Sequence, residues 1–158
     1  VVVQLISGYG VRLSGLPDVT FGMSRQEVLA TWSGKRVHRP FVCGMSWSGG
    51  IDLTGVDLGV FGDDEQRLGL ALISRMTRFY ENCREGLLPY EPVVFDDVDL
   101  FYWPAAELVD FLRASGRQVT EGVTITRVGR ELELWRDPVT ACFTSVTFWG
   151  PRATLAER

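Results

Sequence analysis

Trp103-Pro104-Ala105-Ala106-Glu107-Leu108-Val109-Asp110-Phe111-Leu112-Arg113-Ala114-Ser115-Gly116 is the stretch on which the reading of the fold turns. Proline is tolerated in the first turn of a helix, where its missing N–H has no intrahelical partner to lose. Ala105, Leu108, Val109 and Leu112 recur at i, i+3, i+4 and i+7, which puts them on one helical face, and Gly116 supplies the residue that closes the helix. A helix with a single apolar stripe must bury it against something, and the β-prone runs that follow it are the natural surface.

The N-terminal half carries the same plan. Ser24-Arg25-Gln26-Glu27 is a capping box, in which serine and glutamate satisfy free amides at a helix start, and Gly34 lies just past the end of a helix predicted over roughly 25–33. Val28, Leu29 and Trp32 form its apolar stripe. Strands are predicted after it over 41–47, 56–61 and 67–74, the last two joined through the turn-rich Gly62-Asp63-Asp64-Glu65. After the second helix they are predicted over 119–128, 131–136 and 142–149, broken at Asp137-Pro138. The lead-ins correspond too: Asp18-Val19-Thr20-Phe21 stands before the first helix as Asp97-Val98-Asp99-Leu100 stands before the second. The chain therefore reads as α+β, a tandem repeat in which each unit is a short helix packed on a small antiparallel β-sheet. Its boundaries are 1–75 for the first unit, 76–96 for a connector, 97–150 for the second unit and 151–158 for a flexible tail.

Composition narrows the function classes. A chain of 158 residues with 46% hydrophobic residues can bury a full core, and no apolar run approaches the roughly 20 residues of a membrane span. A net charge of -4 without a basic block argues against nucleic acid as a partner. The three cysteines have no zinc-ligand spacing and read as free thiols in a reducing, cytoplasmic setting. Cys43 and Cys142 fall in apolar runs and are expected to be buried, whereas Cys83 lies in a polar loop and is the more reactive. Val1-Val2-Val3-Gln4 has no feature of a signal peptide, as a processed secreted chain would also lack one.

Phe21-Gly22-Met23-Ser24-Arg25-Gln26-Glu27-Val28-Leu29 resembles the glycine-methionine opening of the helix-plus-sheet repeats in the beta-lactamase inhibitory protein and the related small outer-membrane assembly lipoproteins. The second unit has Phe101-Tyr102-Trp103-Pro104 where the motif would recur, and the inhibitor's within-repeat cysteine pairs have no counterpart in Cys43, Cys83 and Cys142. The resemblance implies two tandem units whose sheets offer a surface to a protein partner.

Strand alternation gives that surface candidate residues. Trp135 shares a face with Glu131 and Glu133, and Phe143 and Trp149 share a face with Ser145 and Thr147, so Trp135, Phe143 and Trp149 are expected to form an exposed aromatic strip that Phe61 extends. The competing reading places these large aromatics in the core, since a shift of one residue swaps the faces. His38, the only histidine, lies in a basic stretch without a neighbouring nucleophile and reads as a solvated loop residue. Asp96, Asp97 and Asp99, and likewise Asp63, Asp64 and Glu65, read as turn and strand-end charges rather than metal or acid-base sites. Ser48-Gly49-Gly50 and Thr54-Gly55 read as hairpin or bulge positions, with no phosphate loop. The expectation is a non-catalytic protein-binding domain, inhibitor- or immunity-like, without cofactor or metal. The alternative is a small-molecule or lipid binding domain with an apolar cavity. An enzyme would need Arg75, Arg78 or Tyr80 to converge with Asp96 to Asp99.

Overall fold

The computed structural model describes residues 1–75, 91–136 and 141–152. Both helices begin where the sequence signals place them. Helix α1 spans Arg25–Thr31, with Ser24 as its N-cap accepting from the Glu27 amide while the Glu27 carboxylate accepts from the Ser24 amide at 2.7 Å. These two bonds occupy amide donors that have no partner inside a helix. The bond from the Ser24 backbone, then that from its side chain, holds the Glu27 carboxyl below its ordinary value of 4.5. Its contribution to stability is therefore present above that value and is lost as pH falls through the lower, folded-state pKa. A helix of seven residues is marginal alone, and the burial of Val28 and Trp32 anchors this one. Ser24→Ala is expected to lower stability by about 1 kcal/mol, read as a shift in the denaturation midpoint at pH 7.

Helix α2 spans Ala105–Ala114 and buries Ala105, Leu108, Val109 and Leu112, the predicted stripe. Pro104 is its N-cap, and the Ala105 amide is met by the carbonyl of Ala141. Gly116, at φ 83°, closes it.

The strands form two sheets. In the smaller, β1 (Val3–Ile6) is central, flanked by β2 (Gly10–Leu13) and β3 (Val19–Thr20) on one side and β8 (Val93–Phe95) and β9 (Val98–Asp99) on the other. The β1·β8 pairing is parallel and the others are antiparallel. The larger sheet contains the strands that follow each helix: β4 (Val37–His38), β5 (Ser48–Leu53), β6 (Val56–Gly62) and β7 (Leu68–Arg75), then β10 (Val119–Glu121), β11 (Ile125–Val128), β12 (Leu132–Trp135) and β13 (Ser145–Trp149). Their order is β10-β11-β12-β13-β7-β6-β5-β4, so the two sets of four meet in one eight-stranded antiparallel sheet through β13·β7. One face of that sheet, with Leu58, Ile73, Leu134 and Val146, joins both helices and the five-stranded sheet in a single core.

Several expectations change. The 41–47 run is not a strand: its apolar residues Val42 and Met45 pack across the sheet rather than along a ladder. The 119–128 run is two strands joined by a hairpin. Residues 93–95, expected in the connector, are β8 and pair with β1. Cys43 is exposed, in the irregular segment, and Cys142 is buried but disulfide-bonded rather than free. Cys83, the Asp137-Pro138 break and most of the 151–158 tail lie outside the described residues. Among the described residues no helix is long and apolar enough to cross a membrane.

Candidate functional site

The face of the eight-stranded sheet turned away from the helices carries the candidate groups. Three rows cross it. Phe61, Leu70 and Trp149 are directly in register in the first. The second runs from His38 through Gly50, Gly59, Leu72 and Thr147 to Glu133. The third runs from Asp52 through Asp57, Ser74 and Ser145 to Trp135 and Ile125.

The expected aromatic strip is not formed. Phe61 and Trp149 do share this face, as alternation indicates, but they are 0% and 6% exposed because Val42 and Met45 of the 39–47 segment cover them. Phe143 belongs to the main core on the other side, fully buried. It precedes β13, which begins at Ser145, and alternation holds only along the paired stretch. Trp135 alone of the four is exposed, at 37%. Phe41, on the covering segment, is 86% exposed. In the second and third rows this face carries Gly59 and Thr147, both buried, and the half-buried Leu72, Ser74 and Ser145. On the Trp135 side Glu133 accepts from Arg127 Nε at 3.0 Å.

His38 is the main revision of the sequence reading. It lies on the edge strand β4, half-buried, and not in a solvated loop. Its Nε2 is 2.6 Å from Asp57 Oδ1 and 3.7 Å from Asp52 Oδ1. The ring lies over Gly50, where a Cβ would come within 2.4 Å of the imidazole. Asp52 and Asp57 face each other across the β5–β6 hairpin. Burial pushes the Asp57 carboxyl above its ordinary value of 3.8, against the pull of His38. Ionised Asp57 is thus a cost to the fold: the stability it contributes when protonated, below about 3.8, is lost as pH rises through its folded-state pKa. One ligand atom from each of the three residues lies within 4.8 Å of the others, a nitrogen-and-oxygen set of metal-ligating type. The hairpin was visible in Thr54-Gly55, and its register puts Asp52 opposite Asp57. A two-residue edge strand leaves no periodicity by which His38 joins them.

Both acidic clusters lie at turns between strands. Asp63 Oδ1 accepts from the amides of Glu65 and Arg67, at 3.0 and 2.9 Å, closing the β6–β7 turn. Asp96 and Asp97 form the β8–β9 turn, both at positive φ, and Asp96 takes two bonds from Arg117, at 2.6 and 2.8 Å. Those bonds, with Glu131, raise the Arg117 pKa. Arg75 is buried and donates to the Phe101 carbonyl, and Asp99 accepts from the Phe101 amide. Arg78 and Tyr80 lie outside the described residues. Two depressions formed by described residues, one beside Trp47 and Arg67 and the other beside Trp32 and Lys35, are open clefts with charged rims and not enclosed apolar cavities. Comparison of the chain with protein-family models, with curated proteins and with solved structures returns no match.

Proposed function

We propose that this chain is a non-catalytic protein-binding domain, inhibitor- or immunity-like, that takes its partner on the outer face of the eight-stranded sheet. The observation that carries this reading is the exposure of two large aromatics, Trp135 on β12 at the outer face and Phe41 on the segment that covers part of that face. Aromatic side chains are enriched at protein interfaces and among the few residues that dominate their binding energy. The element order supports the tandem-repeat reading as well. A strand pair (β2–β3, then β8–β9), a helix and four strands follow one another in both halves, and the two sets of four lie side by side in one sheet, joined at β7·β13. Such an architecture is what the resemblance to the beta-lactamase inhibitory protein implies, with the sheet as the partner surface.

Trp135→Ala tests the reading. The side chain is exposed at the end of β12, so its loss should move the denaturation midpoint by no more than about 0.5 kcal/mol. Binding to a protein captured by the wild-type chain should weaken by about 2 kcal/mol or more, measured by calorimetry with the purified partner. Unchanged affinity in both Trp135→Ala and Phe41→Ala would remove the outer face as the binding surface.

A further inference from the structure

Asp52 and Asp57 are two carboxylates directly opposite each other across a hairpin, an arrangement of like charges that destabilises a sheet. Among the described residues neither is ion-paired with a lysine or arginine, and the imidazole of His38 is the basic group that reaches them. Asp57 is half-buried, so solvent screens its charge less than that of an exposed carboxylate. Gly50 leaves the space that the ring occupies above β5. A dication at this place would offset both charges at once.

We propose that His38, Asp52 and Asp57 form a binding site for one divalent first-row transition ion of the zinc or manganese type, at the β4 edge of the eight-stranded sheet. Bonds of about 2.0 Å in tetrahedral geometry separate ligand atoms by about 3.3 Å. The observed separations of His38 Nε2 from Asp57 Oδ1, 2.6 Å, and from Asp52 Oδ1, 3.7 Å, bracket that value. The ion enters with small movements of side chains at the sheet edge. The ion takes the Nε2 lone pair of a neutral imidazole whose one proton is on Nδ1: a doubly protonated ring releases its Nε2 proton to solvent, and a neutral ring that carries its proton on Nε2 exchanges it for one on Nδ1. Imidazole with two carboxylates favours a transition ion over calcium, which takes six to eight oxygens, and over magnesium, which is held mainly by oxygen and water. Three protein ligands leave at least one position for water or for a group from a partner. The site stands on its own geometry and does not depend on the outer face binding a protein.

The test is calorimetric titration of the full, untagged chain with zinc chloride and manganese chloride, with calcium and magnesium chlorides as controls. It is done in a Cys43→Ser background, because Cys43 is an exposed free thiol and a zinc ligand in its own right. The expected result is one equivalent of zinc or manganese bound, weakened by at least about tenfold in Asp52→Asn and in His38→Gln. The metal should also raise the denaturation midpoint of the parent more than that of either variant at the same metal concentration. Asp52 is exposed, so its substitution leaves the fold intact, and circular dichroism verifies this for both variants. Absence of saturable binding, binding that Asp52→Asn and His38→Gln leave unchanged, or calcium or magnesium bound as tightly as zinc would each overturn the proposal.

Discussion

Trp149→Ala is expected to destabilise the protein by about 3 kcal/mol, the cost of emptying the site of a large buried aromatic. Trp149 is the last residue of β13 and stands in register with Leu70, which in turn faces Phe61. These three make a small cluster of their own on the outer face, closed by Val42, Met45 and Leu72. The indole is therefore what the 39–47 segment rests on. Its removal should release that segment before the rest of the fold, so amide exchange over 42–47 should accelerate more than exchange in β6 or β7. Chemical denaturation gives the magnitude and hydrogen exchange gives the place. A midpoint unchanged from wild type would return Trp149 to the surface and undo the account of the covering segment.

That same segment marks where the sequence stopped being legible. Signals with a local physical cause were readable: the Ser24 to Glu27 capping box, the Ala105 to Leu112 stripe, Gly116, and the Asp63 turn all occur where they were expected. Strand alternation was readable as well, since Phe61 and Trp149 do share a face. What alternation cannot supply is the identity of the covering layer. Val42 and Met45 lie in a β-prone run, and nothing local distinguishes a strand from an irregular segment laid across the sheet. Phe143 failed for a related reason, because the pairing that enforces a period of two starts only at Ser145. The His38, Asp52 and Asp57 constellation is non-local in the same way. The two aspartates are joined by one hairpin, but the histidine arrives through the edge strand β4, which is only two residues long. The assembly of both sets of strands into one sheet was likewise hidden, since β7 and β13 are far apart in sequence and each reads equally well as the edge of a separate sheet.

Phe148→Ala should cost more than Trp149→Ala, about 3–5 kcal/mol, although the two residues are adjacent. Phe148 points to the opposite side of β13, into the main core, and is fully buried. Its ring is 5.3 Å from that of Phe21, which precedes α1, and 6.2 Å from that of Phe95 on β8. In the sheet it stands between Leu132 and Ala71. One side chain thus ties the eight-stranded sheet to the five-stranded sheet and the strands that follow α2 to those that follow α1. A cavity there has walls from every layer, and such walls collapse poorly because each is fixed by its own ladder or helix. The two sets of four strands share a hydrogen-bonded seam at β7·β13 and a common core, so the loss should appear as an earlier but still single transition. Near-ultraviolet and far-ultraviolet circular dichroism should report the same midpoint in wild type and variant. Two separated transitions would mean that the halves fold as independent units and that β7·β13 is a docking contact between them. A cost below about 1 kcal/mol would mean that the ring does not bridge the layers as its contacts indicate.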